Sequence, residues 1–324
     1  MLTRRQLFLA CAGTALMAGM PVAQGQGSYP TKPIRLVAPY VAGGNSDILA
    51  RIVGERVGHS MGQSIIVDNK SGAGGSIATA EVAKTTSDGY TILLGTSSTH
   101  AINPAVYTKL RYDALNGFSP ITTLALSDYA LVVPASSPYK TIQDFLNATP
   151  AKPLQFAANG AGTTSHLASA LLGVRTNQEY THIPSQGSSP AMIDLMGGQV
   201  DFLIDNTSTA LTNAATGKLR ILATTGAQRG AVTKDIPTLR EAGVPDYEVV
   251  GWWVFVAPQN TPPAIVNRLN QEIIKATQEP EIRKRMAEMG NEPFTKTPAE
   301  TRAFIESEMK KFKAIATAIR LQLD

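Results

Sequence analysis

A chain of 324 residues exceeds the size that one hydrophobic core usually serves, so two compact domains are expected. Hydrophobic residues at 43% and charged residues at 17% exclude a disordered chain. The formal charge of +4 falls to +2 without Arg4 and Arg5, and the one dense basic stretch, Arg283-Lys284-Arg285, is followed by Glu288 as on a solvated helix face, which argues against nucleic acid as a partner.

Arg4 and Arg5 precede an apolar run from Leu7 to Met20, then Pro21 and small residues, so residues 1–26 read as an export signal cut between Ala23 and Gln26. Thr3-Arg4-Arg5-Gln6-Leu7-Phe8-Leu9 resembles a twin-arginine signal, and both that route and the general secretory one stay open. Cys11, the only cysteine, lies inside this segment with too little apolar chain before it for lipid anchoring. The mature chain is therefore expected to have no disulfide or thiol chemistry, and no later run is long and apolar enough to span a membrane.

Short β-rich runs then alternate with helical patterns, the mark of parallel sheets covered by helices. Ile34 to Ala38 is a buried strand stopping at Pro39. Ser46 to Gly58 carries Ile48, Leu49, Ile52, Val53 and Val57 at helical spacing. Ser64 to Asp68 is a second strand, Ala78 to Thr85 a helix, and Tyr90 to Gly95 a third strand. Ile121 to Pro134 reads as one long extended segment, interrupted near Ser127-Asp128, that carries the chain into a second domain. There follow Leu154 to Ala158, a helix from Thr164 to Gly173, Tyr180 to Ile183, a helix from Pro190 to Gly197, Val200 to Ile204, and Ile221 to Thr225. The chain returns along Tyr247 to Ala257. Helices from Pro262 to Gln278, Pro280 to Met289 and Pro298 to Leu321 each begin at proline, as helix starts often do. Two crossings give a discontinuous first lobe, 27–128 with 250–324, hinged to a second lobe, 129–249, with the ligand between them.

Glycine-rich loops follow predicted strands, where open α/β sheets bind ligands, and helices starting there favour an anion. In Tyr40-Val41-Ala42-Gly43-Gly44-Asn45-Ser46-Asp47 the glycines admit a ligand to the main chain and Ser46 can donate; Asn45, Ser46 or Asp47 can equally be the helix cap, and Asp47 has i,i+4 spacing to Arg51. Ser71-Gly72-Ala73-Gly74-Gly75-Ser76 permits the same approach or is simply a tight turn. Asn159-Gly160-Ala161-Gly162-Thr163-Thr164-Ser165-His166 gathers three hydroxyls and an amide at one helix start, suited to a carboxylate or to capping, with His166 a structural contact.

Asp205-Asn206 follows a strand and should face the same gap, where Asp205 can receive an amine, order water or hold a neighbouring loop. Of Trp252 and Trp253, one is expected at the cleft and the other in the core. The chain has no HExxH, no histidine and cysteine at metal spacing, no GxSxG and no Walker lysine, and His59, His100, His166 and His182 are dispersed. No catalytic residue, metal or cofactor is expected. A dinucleotide-dependent enzyme is the rival reading of Gly160 to Ser165 with Glu179, but Ser165 replaces the last glycine and Glu179 precedes its strand instead of ending it.

From about Tyr29 to the C-terminal helix the chain resembles the Bug family, the extracytoplasmic solute receptors of tripartite tricarboxylate transporters. The landmarks come in order: Pro39-Tyr40 through Gly43-Gly44 to Asp47 and Ala50-Arg51; Val67-Asp68-Asn69-Lys70 before Gly72-Ala73-Gly74-Gly75; Asp88-Gly89-Tyr90-Thr91; Gly162 to Ser165-His166-Leu167; Gly197-Gly198-Gln199-Val200-Asp201; Pro237-Thr238 with Glu241-Ala242-Gly243; and Ala257-Pro258 before Thr261-Pro262.

The resemblance implies a type II periplasmic-binding-protein fold, two α/β lobes joined by two crossing segments, that closes on a carboxylate held by backbone amides, hydroxyls and bridging waters instead of an arginine. It places the pocket on Tyr40, Val41, Gly43, Gly44, Asn45, Ser46 and Asp47; on Gly75 and Ser76; on Ser98 in the Thr96 to Thr99 region; on Asn159, Gly160, Thr163, Thr164 and Ser165; and on Asp205. Ser185-Gln186-Gly187 replaces the family's aromatic and basic residues after Pro184, and Ser71 stands where proline is usual. The implied protein is a monomeric periplasmic receptor that hands a small carboxylate to a membrane permease. The hydroxyl-rich loops, with Tyr40 and the tryptophans as flat walls, suit a dicarboxylate or an aromatic one such as terephthalate. The alternative is a receptor that signals to a membrane sensor kinase.

Overall fold

The computed structural model describes residues 29–185 and 187–324; the expected export signal and Gln186 lie outside the described residues. Strand β1 (Ile34–Ala38) stops at Pro39, and helix α1 (Asn45–Met61) ends where Gly62 turns left-handed. Then come β2 (Ile65–Asn69), α2 (Ser76–Val82), β3 (Thr91–Thr96), a π-helical turn over Ser98–Ile102, and the short α3 (Asn103–Val106). Strand β4 (Phe118–Pro134) is the 17-residue extended segment, starting at Phe118 instead of Ile121. It leads to α4 (Ile142–Leu146), β5 (Leu154–Ala157), α5 (Thr164–Thr176), β6 (Tyr180–Ile183), α6 (Ser188–Met196), β7 (Phe202–Asn206), α7 (Thr207–Ala214) and β8 (Leu219–Thr224). The return strand β9 (Val250–Pro258) is followed by α8 (Pro263–Gln278), α9 (Pro280–Glu288), β10 (Asn291–Pro293) and α10 (Pro298–Ala318).

Two parallel units share one order. In the first, β1 lies between β2 and β3; in the second, β5 lies between β6 and β7. Each central strand feeds a helix, α1 or α5, at the point where the strand order reverses, which is where such sheets take ligands. Strand β4 belongs to both sheets: Phe118 to Asp128 pairs antiparallel with β9, while Tyr129 to Val132 pairs with β7 and Ala130 to Pro134 with β8. Its 125–127 stretch also holds β10.

Strand β9 starts three residues later than the apolar run from Tyr247 suggests. Tyr247 is instead buried in the core, its hydroxyl donating to the Ala168 carbonyl at 2.8 Å. Strand β7 is shifted two residues towards its carboxyl end and takes in Asp205 and Asn206, because the Asp201 N–H is spent on the Gln155 carbonyl at 2.8 Å.

Alternation along β9 sends Trp252, Val254 and Val256 to one core and Trp253, Phe255 and Ala257 to another. The second core is closed by α1, α8 and α9. The first runs on through Tyr129, Phe145, Phe156 and Phe202, so apolar packing continues between the two lobes under α10. Each fully buried aromatic in it contributes roughly 2–3 kcal/mol of apolar burial. A third cluster, with Val132, Leu195 and Leu203, covers the opposite face of the second sheet.

Candidate ligand-binding cleft

Each of the two switch-point helices starts at a cap. Gly44 precedes α1, and Thr163 precedes α5 with its hydroxyl accepting from the His166 N–H at 3.4 Å. At the start of α5 the lobes touch through hydroxyls: Ser97 Oγ, in the turn after β3, lies 2.9 Å from Thr164 Oγ1. Around that contact, Tyr40 is half-buried with its hydroxyl 3.2 Å from Thr96 Oγ1 and close to Ser98, and desolvation pushes its pKa up. Tyr129, at the point where β4 passes between the sheets, places its hydroxyl beside Thr164, and its pKa too is raised by burial. A Cβ on Gly251 would stand 2.8 Å from the Tyr129 ring, so this ring position requires glycine in β9.

The first-lobe loops are fixed from within. The Asn69 amide donates to the Tyr40 carbonyl at 3.2 Å, and Asn103 donates to the Gly74 carbonyl at 3.2 Å. Gly75 has φ +84°, and an added Cβ would lie 2.7 Å from Thr99 Cγ2 and 3.0 Å from Pro39 Cβ; the loop can reach Pro39 and Thr99 only as glycine. Ser76 opens α2 beside it.

Several expected binding groups are engaged inside their own lobe. Ser46 Oγ accepts from Trp253 Nε1 at 2.8 Å, and Ser165 donates to the Ile204 carbonyl. Asp47 accepts from the Gly43 N–H at 2.8 Å and pairs with Arg51 at 2.9 Å. Burial pushes Asp47 up, but Arg51 and the Gly43 N–H outweigh it and hold the carboxyl below the usual range. The Asn45 amide exchanges two hydrogen bonds, 3.1 and 2.9 Å, with that of Asn291 on β10. Val41 projects outward, 65% exposed.

Neither tryptophan supplies a flat wall, contrary to expectation. Trp252 is fully buried, edge-on to Phe304 and donating to Glu308 at 2.8 Å, while Trp253 is spent on Ser46. The indole N–H of a buried tryptophan needs an acceptor, and each finds one in the interior.

In the second lobe, Asp205 is fully buried and its carboxylate collects donors: Asn159 Nδ2 at 2.7 Å, the Asn206 N–H at 2.7 Å, and the Ser188 hydroxyl. Burial pushes its pKa up against these bonds. Of the roles open in the sequence, loop-holding is the one these contacts perform. Gly160 accepts from the Thr163 hydroxyl at 2.8 Å, and the Gly162 N–H donates to His166 Nδ1 at 3.2 Å, so His166 braces the loop. His166 stacks on His182 at 4.0 Å.

Tyr129, Ser188 and Asn291 thus stand with these groups although no motif singles them out, while Ser97 and Asn206 lie in stretches the sequence had pointed to. A cavity of about 1000 Å³ lies next to strands β4, β9 and β10, lined among others by Asp128, Thr207, Arg229, Glu248, Arg283 and Glu292; none of the expected site residues lines it. Among the described residues no cluster of three metal-ligating side chains occurs, and no helix is long and apolar enough to cross a membrane.

Comparison with known proteins gives this geometry a family. Residues 49–321 match the model for the tripartite tricarboxylate transporter family receptor. BugT of Bordetella pertussis is 32% identical over 312 residues, covering 95% of this chain and 94% of BugT. A solved R. palustris protein with adipate superposes with a TM-score of 0.87 at 34% identity, covering 91% of this chain and 99% of that one. MatC from Rhodopseudomonas palustris with bound malate gives 0.82 at 28% identity over 89% and 99% of the two chains. The extent of these matches, with the two-lobe α/β architecture, establishes that this chain belongs to the Bug family, the receptors of tripartite tricarboxylate transporters, which are solute-binding proteins and not enzymes.

Proposed function

We propose that the chain works in the periplasm as a monomer, closes on a small carboxylate between its lobes, and hands it to the membrane permease of a tripartite transporter. The hinge in this reading is Asp128-Tyr129 on the outward crossing and Val249-Val250 on the return, dividing the chain at the boundaries expected from sequence. The observation that carries it is the meeting of the turn after β3 with the start of α5 across a hydroxyl contact, Ser97 with Thr164, flanked by Tyr40, Ser98 and Tyr129. Hydroxyls and the free N–H groups of two helix starts suit carboxylate oxygens and require no buried cation. The adipate and malate in related structures support a small carboxylate. With both tryptophans in the core, an aromatic ligand such as terephthalate would have to rest on Tyr40 and Tyr129 alone, and an aliphatic acid fits better.

Capture is a population shift: the ligand favours the closed form by its differential affinity for that form. A thermal-shift screen of carboxylates tests the reading. Several degrees of stabilisation by one or more short-chain acids is the expected result; stabilisation by sugars or cationic amines alone would overturn it.

A further inference from the structure

The loop between β1 and α1 is shaped by hydrogen bonds more than by packing. Val41 to Gly44 are exposed, and a Cβ on Gly43 would meet nothing within 4 Å, although φ there is +82°. Helix α1 has Gly44 at its cap position and no side-chain cap, whereas Thr163 caps α5. The conformation of this loop therefore decides where the open N–H groups of the first turn of α1 point.

What fixes that conformation is a relay of side chains on α1 and β2. Asn69, the last residue of the edge strand β2, donates from Nδ2 to the Tyr40 carbonyl at 3.2 Å and accepts at Oδ1 from Arg51 Nη2 at 3.1 Å. A guanidinium Nη carries two hydrogens, and the same nitrogen pairs at 2.9 Å with Asp47 Oδ1, a buried oxygen with no other partner. Asp47 Oδ2 accepts in turn from the Gly43 N–H at 2.8 Å. A closed ring thus runs from the Tyr40 carbonyl through Asn69, Arg51 and Asp47 to the Gly43 N–H, gripping the loop at both ends. Asn69 is steadied on either side, since Asp68 pairs with Arg35 and Lys70 with Glu81. Arg51 itself is exposed and lines a groove with Glu55, Ile65 and Val67 on the flank of α1 and β2.

We infer that Arg51 and Asn69 are positioning residues for carboxylate capture: without touching the ligand, they hold Tyr40 to Asp47 in the shape that aims the N–H groups of α1 into the cleft. This rests on the carboxylate reading above and adds the two side chains that prepare its first-lobe wall. A loop ordered before the ligand arrives costs no ordering entropy on binding, so loosening it lowers affinity without removing any contact. Arg51 has a second effect. Asp47 lies buried in the first turn of α1, where its charge opposes an arriving carboxylate, and the guanidinium offsets that charge.

Arg51→Ala and Asn69→Ala in the full mature chain test this, with Glu55→Ala, one turn along α1 in the same groove, as the control. Amide hydrogen exchange of the ligand-free proteins should show residues 40–47 exchanging about tenfold faster in the first two variants and unchanged in the third. Titration calorimetry with succinate, malate, adipate and any further acid that the thermal screen finds should show about tenfold weaker binding by the same two variants. Millimolar guanidinium should restore both loop protection and affinity to Arg51→Ala, by refilling the place between Asn69 and Asp47, and should leave Asn69→Ala as it was; a merely structural loss would not respond. Unchanged loop exchange, undiminished affinity, or an Arg51→Ala variant indifferent to guanidinium overturns the inference, while binding by the parent chain keeps the carboxylate reading standing. A parent chain that binds no carboxylate at all overturns both.

Discussion

Asp128 stands at the residue where β4 leaves one sheet for the other, and among the described residues it has no ion-pair partner. Burial, then the nearby Glu292 and Glu248, raise its pKa to about 6. The folded protein therefore holds this proton to higher pH than the unfolded chain does, so the contribution of Asp128 to stability is present below about pH 4 and is lost as pH rises through about 6. Asp128→Asn should accordingly raise the unfolding free energy at pH 7.5 by about 1–2 kcal/mol and leave it little changed at pH 4, as read from urea melts at the two values. Other residues could be read in advance with less help from structure. Gly75 beside a serine signalled a loop that something must approach closely, though the chain could not show that Thr99 and Pro39 are what approach it. Tyr129 gave no signal, since one tyrosine in an apolar run is indistinguishable from core until Gly251 is placed beneath its ring.

At the scale of elements, prolines and caps made the C-terminal helices legible. Thr297 and Glu300 form a reciprocal cap, each side chain bonded to the other's main-chain N–H, at the head of the long helix α10. Thr297→Ala should cost about 1 kcal/mol of stability while leaving carboxylate affinity unchanged, which chemical denaturation and titration calorimetry check together. The elements that escaped the sequence share a physical reason. Helix α7, Thr207-Ser-Thr-Ala-Leu-Thr-Asn-Ala214, is short and five of its eight residues are Thr, Ser or Asn, which are weak helix formers, and β10 is three residues ending in proline. Both exist because a neighbour holds them: the Thr207 hydroxyl donates to the Asp128 carbonyl at 2.8 Å, and β10 lies on the edge of β4. Contacts between partners far apart in sequence decide such elements, and a local pattern cannot show them. The same holds for the cleft: the loops were legible from their glycines, whereas the pairings Ser97–Thr164 and Asn45–Asn291 join residues 67 and 246 positions apart.

For the whole molecule, the direct hydroxyl contact between the lobes means that closure has an internal contribution besides the ligand's. Removing it with Ser97→Ala should lower carboxylate affinity about fivefold, the worth of one hydrogen bond near 1 kcal/mol, and small-angle scattering of the ligand-free variant should show a larger radius of gyration than the parent. Acid should also loosen the molecule. Burial holds His100 and His166 at about 3, His182 adding to the effect on His166, and lowers His182 itself. Their unfolded forms take up protons near 6.5, so the stability that these histidines support is complete above that value and falls as pH drops towards 3, by up to about 1.4 kcal/mol per pH unit for each. The urea midpoint at pH 5 should therefore lie below that at pH 7; a midpoint that rises on acidification would contradict the burial of these rings.

The sharing of β4 between two sheets governs how this molecule can vary. Side chains on a strand alternate from face to face, so one residue added or removed between Ser127 and Ala130 would rotate everything beyond it by half a turn, exchanging the sets that now fill the aromatic-rich core and the cluster around Val132 and Leu195. Loops elsewhere can lengthen at little cost, but this strand behaves as a ruler with fixed graduations. Its lobes can reorient only by twisting the ladder they share, as a torsion bar flexes without changing length.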